Sequence, residues 1–295
     1  MMPVLLIVIL VISIYVLSLC YTNSAGETTT GIDGFLTYII PDVSDLTAEK
    51  FMHVLLDAMG QLFFSISVAS GVMIAYGSYF GDKDNLIKSV GQIEICDTFV
   101  ALMAGVMVIV PLYAVLGREG MSASGPGLLF AAMPAVFGSM ENTGMIIGAA
   151  FFVMVFVAAL TSSVSIMEAS VSSMIEKFGM ERKKAVLILT IILLALGVVV
   201  CMGYNILYFD ITLPNGSSGQ LLVIFDYISN NIVMPLVAIF TCILIGWAVK
   251  PKYVIDEAVK NGESFRRRYV YIVMVKVIAP VLLVVLFLQS LGLIR

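Results

Sequence analysis

The sequence predicts an all-α polytopic membrane protein of seven transmembrane helices, one of them broken near the bilayer midplane. Three observations predict it. The 295 residues are 60% hydrophobic and 12% charged, with a mean hydropathy of +1.06, well outside the composition of soluble domains. Seven apolar stretches, near residues 3–20, 54–80, 94–116, 143–175, 185–205, 220–249 and 269–294, match the length needed to cross about 30 Å of hydrocarbon. Lys and Arg crowd into alternate connections: twelve lie in 81–91, 176–184 and 250–268, and three in the other loops and the C-terminus. Basic residues in short loops stay in the cytoplasm. The expected location is therefore the cell inner (plasma) membrane, with a cytoplasmic N-terminus and Arg295 outside.

The first stretch follows Met1 with no basic n-region and is longer than a usual signal-peptide core, so it reads as a span. Residues 21–53, with Gly26, Gly31, Gly34 and Pro41, form an external loop. A second external loop, 117–142, contains the apolar run LLFAAMPAVF, which suits a lid hairpin folded back over the outer face. Residues 250–268 hold Pro251 and a basic cluster beside lipid headgroups, where an orientation signal suffices as explanation. No repeat or low-complexity tract divides the chain, so residues 1–295 read as one transmembrane domain. The net charge of -4 sits mainly in loops, and no basic domain supports a nucleic-acid partner. Cys20, Cys96, Cys201 and Cys242 lack metal-site spacing and are expected to pack in the core. His53 reads as an interfacial side chain, and Asn215-Gly216-Ser217 is a formal but weak glycosylation sequon.

Polar residues inside apolar spans are costly, and four clusters stand out. Residues 54–80 contain Gly60, Gln61, Ser65, Ser67, Ser70 and Gly71 near the middle of the stretch. Backbone groups freed at membrane depth need protein, water or ligand partners, so a break there implies a lined cavity. The plainer reading is close helix packing through small residues. In the run Ala158–Ser163, hydroxyls beside a freed carbonyl offer oxygen donors to a hard monovalent cation. Ser and Thr also back-bond to their own helix, and taken alone that reading is the stronger one. Asp97 has no basic neighbour in sequence, so a bound cation or a proton is its natural partner. Asp226 fits a gate residue and a solvated helix-end carboxylate equally well.

These pieces resemble the neurotransmitter:sodium symporter family, whose bacterial members carry amino acids on the leucine-transporter fold. GQLFFSISVASGVMIAYGSYF is similar to the family's broken sixth span, AALTSSVSIMEA to its eighth, GPGLLFAAMPAVF to its external lid, and DTFVALMAG to its seventh span in bacterial members. The resemblance covers the family's fifth to eleventh spans. It implies a part of an inverted-repeat fold lacking its first four spans: a fragment, a truncated product, or half of a split protein partnered by a separate chain.

By this resemblance Phe64 closes over the substrate, Ser65 gives an oxygen to the first sodium site, and Ser67 lines the substrate pocket. Ser70 stands where relatives often place a bulky aromatic residue. The Ala158 carbonyl, Thr161 and Ser162 form half of a second sodium site, and Ile166 faces the substrate side chain. Asp97 falls at a first-sodium-site asparagine and Ala101 where chloride-dependent relatives have serine, which implies chloride independence. Asp226 is the implied outer-gate acid, with Tyr79 and Glu176 in the cytoplasmic gate.

The expected function is sodium-coupled symport of an amino acid across the lipid bilayer, with sodium as coupling ion and no other cofactor. An enzyme is not expected, since the hydroxyls lack a neighbouring His or Lys base. Two alternatives stay open: a non-transporting truncated membrane partner, and a proton-coupled transporter of the same architecture working through Asp97. The roomy, uncharged wall at Ser70 and Ile166 favours an apolar or aromatic cargo.

Overall fold

The computed structural model describes residues 2–18, 20–22, 28–41, 43, 46–81, 83–120, 125–214 and 218–293, most of them helical. The sequon at 215–217 and Arg295 lie outside the described residues. Five described helices are long and apolar enough to cross a membrane: Leu86–Leu116, Thr143–Phe178, Arg182–Met202, Leu221–Ala248 and Arg268–Ser290. The other two expected stretches differ in kind. Met2–Leu17 is an apolar helix of 16 residues, about 24 Å at the helical rise and short of the hydrocarbon thickness. Residues 48–77 fall into two helices, Ala48–Ser65 and Val72–Gly77. The chain divides into two units, Met1–Thr47 with Gln92–Ser162 and Ala48–Gly91 with Ser163–Arg295.

The first unit is held by apolar packing. Ile12 and Val16 of helix 2–17, Val106, Met107, Val110 and Leu112 of helix 86–120, and Phe151 and Met154 of helix 141–178 are buried together. The run 125–138 forms one apolar helix and adds Met133, Val136 and Phe137 to the same core. Its docking depends on a small residue opposite: a Cβ at Gly144 would lie 1.8 Å from the Phe137 carbonyl oxygen. Phe137 packs on Phe151 with ring centroids 5.3 Å apart, and Phe151 meets Phe152 edge-on at 5.3 Å. Helix–helix association in lipid depends on close dispersion contact, because lipid tails are as apolar as the core.

Two polar devices supplement this packing. Ser13 donates its hydroxyl to the Met103 carbonyl at 3.2 Å. Helix 31–39 follows a short antiparallel pair, Cys20–Thr22 with Thr28–Thr30, and begins in a reciprocal cap. The Thr30 amide donates to Asp33 Oδ2 at 2.9 Å, and the Asp33 amide donates to Thr30 Oγ1 at 3.3 Å.

In the second unit, helix 268–290 touches both of its neighbours. Tyr227 Oη donates to the Ser290 carbonyl at 2.7 Å. His53 Nδ1 and Gln289 Nε2 lie 3.2 Å apart. A Cβ at Gly60 would meet Leu286 at 3.7 Å, ordinary contact. Cys20, Cys96 and Cys201 are exposed and Cys242 half-buried, which corrects the expectation that they pack in the core. In a membrane chain an apolar stretch does not distinguish core-facing from lipid-facing positions.

Candidate functional site

The break in residues 48–77 is built from backbone conformation. Between helix 48–65 and helix 72–77, Ser67, Ala69 and Gly71 have φ of 55°, 64° and 82°. Only glycine adopts this left-handed region freely, and a side chain there costs about 1–3 kcal/mol. The helical ladder breaks accordingly: the Ser67 amide donates to the Phe64 carbonyl at 3.1 Å and the Val68 amide to the Phe63 carbonyl at 3.0 Å. The Ser70 hydroxyl turns back onto the Ser67 carbonyl at 2.8 Å. The regular pattern resumes where the Ala75 amide meets the Gly71 carbonyl at 3.0 Å. Residues 66–71, with Ser67, Ala69, Ser70 and Gly71, thus form an unwound segment inside an apolar stretch, with Phe64 exposed beside it.

The piece after the break is docked on the second half of helix 141–178. Ser165, Glu168 and Ser172 share one face, at the three- and four-residue spacings that bring side chains together. Tyr76 Oη bonds Ser165 Oγ, and Tyr79 Oη donates to Glu168 Oε1. Arg182 forks onto the same carboxylate, Nη1 to Oε1 at 2.9 Å and Nη2 to Oε2 at 2.5 Å. Ser172 Oγ adds a longer contact of 3.4 Å to Oε1. The carboxylate is mostly covered and the guanidinium mostly exposed. Bidentate geometry of this kind is directional and charge-assisted.

Ile166 is exposed on the same helix. Glu176 is exposed two turns beyond Glu168 and has no ion-pair partner among the described residues. Asp226 accepts from Asn230 Nδ2 at 2.6 Å, at the entry to a π-helical turn, Tyr227–Val233. In the other unit, Thr161 Oγ1 donates to the Ala158 carbonyl at 2.9 Å, bringing those two oxygens together on one exposed turn. Ser162 is exposed next to them, and Asp97 is half-buried on helix 86–120 with Ala101 one turn on.

The sequence profile of the sodium:neurotransmitter symporter family matches residues 2–294. The chain belongs to this family. It is 32% identical over 264 residues to an uncharacterized sodium-dependent transporter of Haemophilus influenzae, covering 88% of this chain and 54% of that protein. It is 27% identical over 304 residues to an uncharacterized sodium-dependent transporter of Bacillus subtilis, covering 99% of this chain and 60% of the relative. The structure superimposes on the crystal structure of MhsT in complex with L-phenylalanine with a TM-score of 0.79 and 29% identity, covering 98% of this chain and 61% of that one. This symporter-family chain therefore spans about half the length of the curated relatives it matches, as a multi-pass membrane protein. These relatives are transporters rather than enzymes.

Glu168 and Arg182 are the residues that sequence reasoning missed in this symporter-family chain. The signal was present: Glu168 in SIMEAS is an ionisable side chain inside an apolar span, the same property that singled out Asp97.

Proposed function

We propose that this chain forms the portion of a sodium-coupled amino-acid symporter that carries one broken helix of a central site, completed by segments its longer relatives carry outside the matched part. Those segments sit on the same polypeptide or on a separate chain. The unwound stretch 66–71 carries this reading: three left-handed residues and the hydroxyls of half-buried Ser67 and exposed Ser70 in an apolar stretch gain nothing for a lipid anchor, but supply backbone and side-chain oxygens to a ligand.

Phe64, Ser65, Ser67, Ser70, Ser162 and Ile166 face the amino acid. Ser65 and Asp97 hold one sodium ion, and the Ala158 carbonyl, Thr161 and Ser162 a second. The carboxylate of Asp97 supplies negative charge beside sodium, which makes transport chloride-independent. An aromatic amino acid is the proposed cargo, supported by the phenylalanine in the similar MhsT structure. Asp226 gates the outer side. Tyr79 and Glu176 act at the cytoplasmic side, where Glu168 and Arg182 latch the piece after the break. The helix at 125–138 acts as lid, and seven crossings place the N-terminus in the cytoplasm and the C-terminus outside the plasma membrane. Because the substrate carboxylate approaches sodium, each tightens the binding of the other.

The test is co-expression of this chain with a polypeptide carrying the remaining family spans, followed by uptake of L-phenylalanine. Uptake is expected to fall to background when choline replaces sodium and to persist when gluconate replaces chloride. Sodium-independent uptake that follows pH would overturn the coupling. Background uptake with both polypeptides stably inserted would overturn the transport reading.

A further inference from the structure

The connection 249–267, with its short helix Pro251–Ala258, and the ends of helices 221–248 and 268–290 line an open cavity of about 630 Å³ that none of the roles above uses. Four cations line it, Lys250, Lys252, Arg268 and Lys276, against one carboxylate, Asp256. Trp247 and Tyr269 stand at its rim, both about two-thirds exposed. The Arg268 guanidinium lies 4.8 Å from the Tyr269 ring centroid and donates from Nη2 to Tyr269 Oη at 3.1 Å. Lys250 has φ of 72° immediately before Pro251, a costly conformation for a lysine that turns the chain out of the helix at the cavity edge.

Lys276 is the unusual member. It lies eight residues into an apolar helix, about 12 Å below its start, and has no hydrogen-bond or ion-pair partner among the described residues. Lys276 is exposed, and an ionisable side chain inside an apolar span marks a candidate functional position. The facing residue is Gly246, where a Cβ would meet Lys276 Cγ at 3.5 Å, so the lysine stem lies against bare backbone. Both residues sit in π-helical turns, Leu244–Ala248 and Met274–Ile278, the irregularity that often marks functional positions in helices.

We propose that this cavity binds the phosphate headgroup of an anionic phospholipid from the adjacent leaflet. Lys276 reaches up from the membrane side by extending its stem toward the polar layer. Lys250, Lys252 and Arg268 close around the phosphate from the water side, with Trp247 and Tyr269 at headgroup level, where amphipathic rings settle. A lipid rather than a free phosphate is the occupant because the same helices continue beneath the cavity with exposed Leu244, Val273 and Val277, a surface for acyl chains. Basic pockets between membrane helices select such headgroups.

Trp247 is the sole tryptophan of the chain, so its fluorescence reads this cavity alone. The full chain is placed in phosphatidylcholine vesicles containing increasing fractions of dibrominated phosphatidylglycerol or dibrominated phosphatidylcholine. Quenching by the anionic lipid is expected to half-saturate at about fivefold lower mole fraction. Lys276→Gln and Arg268→Gln, each checked for native helical circular dichroism, are expected to lower that preference about threefold to fivefold, one juxtamembrane charge apiece. Lys260→Gln, in the same loop but outside the cavity, should leave it unchanged. Equal quenching by the two lipids overturns the proposal. So does an equal effect of Lys260→Gln, which signals diffuse attraction, or loss of the preference on adding inorganic phosphate at matched ionic strength, which signals a small-anion site.

Discussion

Helix 141–178 performs two different jobs along its length, and its halves belong to different units. The first half offers Gly144, Phe151 and Met154 to a core of carbon atoms. The second offers Ser165 and Glu168 to hydrogen bonds with Tyr76 and Tyr79 of the piece after the break, while Glu168 also takes Ser172 of its own helix and the Arg182 ion pair at the start of the next. Dispersion contacts are many, short-ranged and intolerant of a gap, so the first half suits a rigid scaffold. Of the three donors on the Glu168 carboxylate only Tyr79 comes from the piece after the break, so a few directional bonds hold that piece. One continuous helix thus carries two kinds of contact along its length.

The largest effect is expected in the scaffold half. Phe151 is almost wholly buried between two other rings, and Phe151→Ala removes those contacts and leaves a cavity. A loss of about 3 kcal/mol follows if the site relaxes as core sites generally do. Unfolding of the purified chain in detergent measures it. Amide exchange should localise the damage to helix 125–138 and its neighbours while residues 72–79 keep their protection. If residues 72–79 lose protection equally, the two halves are one cooperative body and the comparison fails.

A smaller effect is expected at the latch. Glu168→Gln removes the charge that Arg182 grips and leaves an amide that satisfies only part of the fork. Because Arg182 is mostly exposed, solvent screening limits the loss to about 1 kcal/mol. Amide exchange in residues 72–79 should quicken about fivefold with the scaffold half unchanged. Tyr79→Phe should give the same pattern more weakly. Unchanged exchange in both variants would mean that the contacts do not hold the segment.

Much of this was legible in the sequence, for identifiable reasons. The break was visible because Ser65, Ser67, Ser70 and Gly71 have no business in an uninterrupted lipid-facing stretch. The partner of Tyr79 was not. Each residue unwound lengthens the chain's rise from about 1.5 Å to as much as about 3.3 Å, so six such residues move the following segment by up to about 10 Å, two helical turns. Glu168 and Glu176 lie eight residues, about 12 Å, apart along their helix, close to that upper limit, and sequence alone does not say how far the chain unwinds. The core was equally hidden: helix 2–17 is apolar on every side, and nothing in its pattern sets Ile12 and Val16 apart from the exposed Ile7 and Val11. The count of crossings was ambiguous where a 16-residue helix and a broken pair each fall short of a membrane's thickness alone.

The smallest expected effect sits in the scaffold unit but outside its apolar core, and it sharpens the contrast because it is electrostatic. The hydroxyl and then the backbone amide of Thr30 donate to Asp33 and hold its carboxyl below the ordinary aspartate range. A lowered native value means that the unfolded chain binds more protons in the window between the two values, so stability rises with pH across that window. The cap's contribution is complete above the ordinary aspartate range and is lost as the pH falls through the native value. Amide exchange of residues 31–36, corrected for intrinsic rates, should quicken as acid is added, while the Phe151 region stays protected. Asp33→Asn, which cannot titrate, should flatten that response. A variant that keeps the acid sensitivity would assign it to another carboxylate and leave the scaffold unit without a titratable element at this helix.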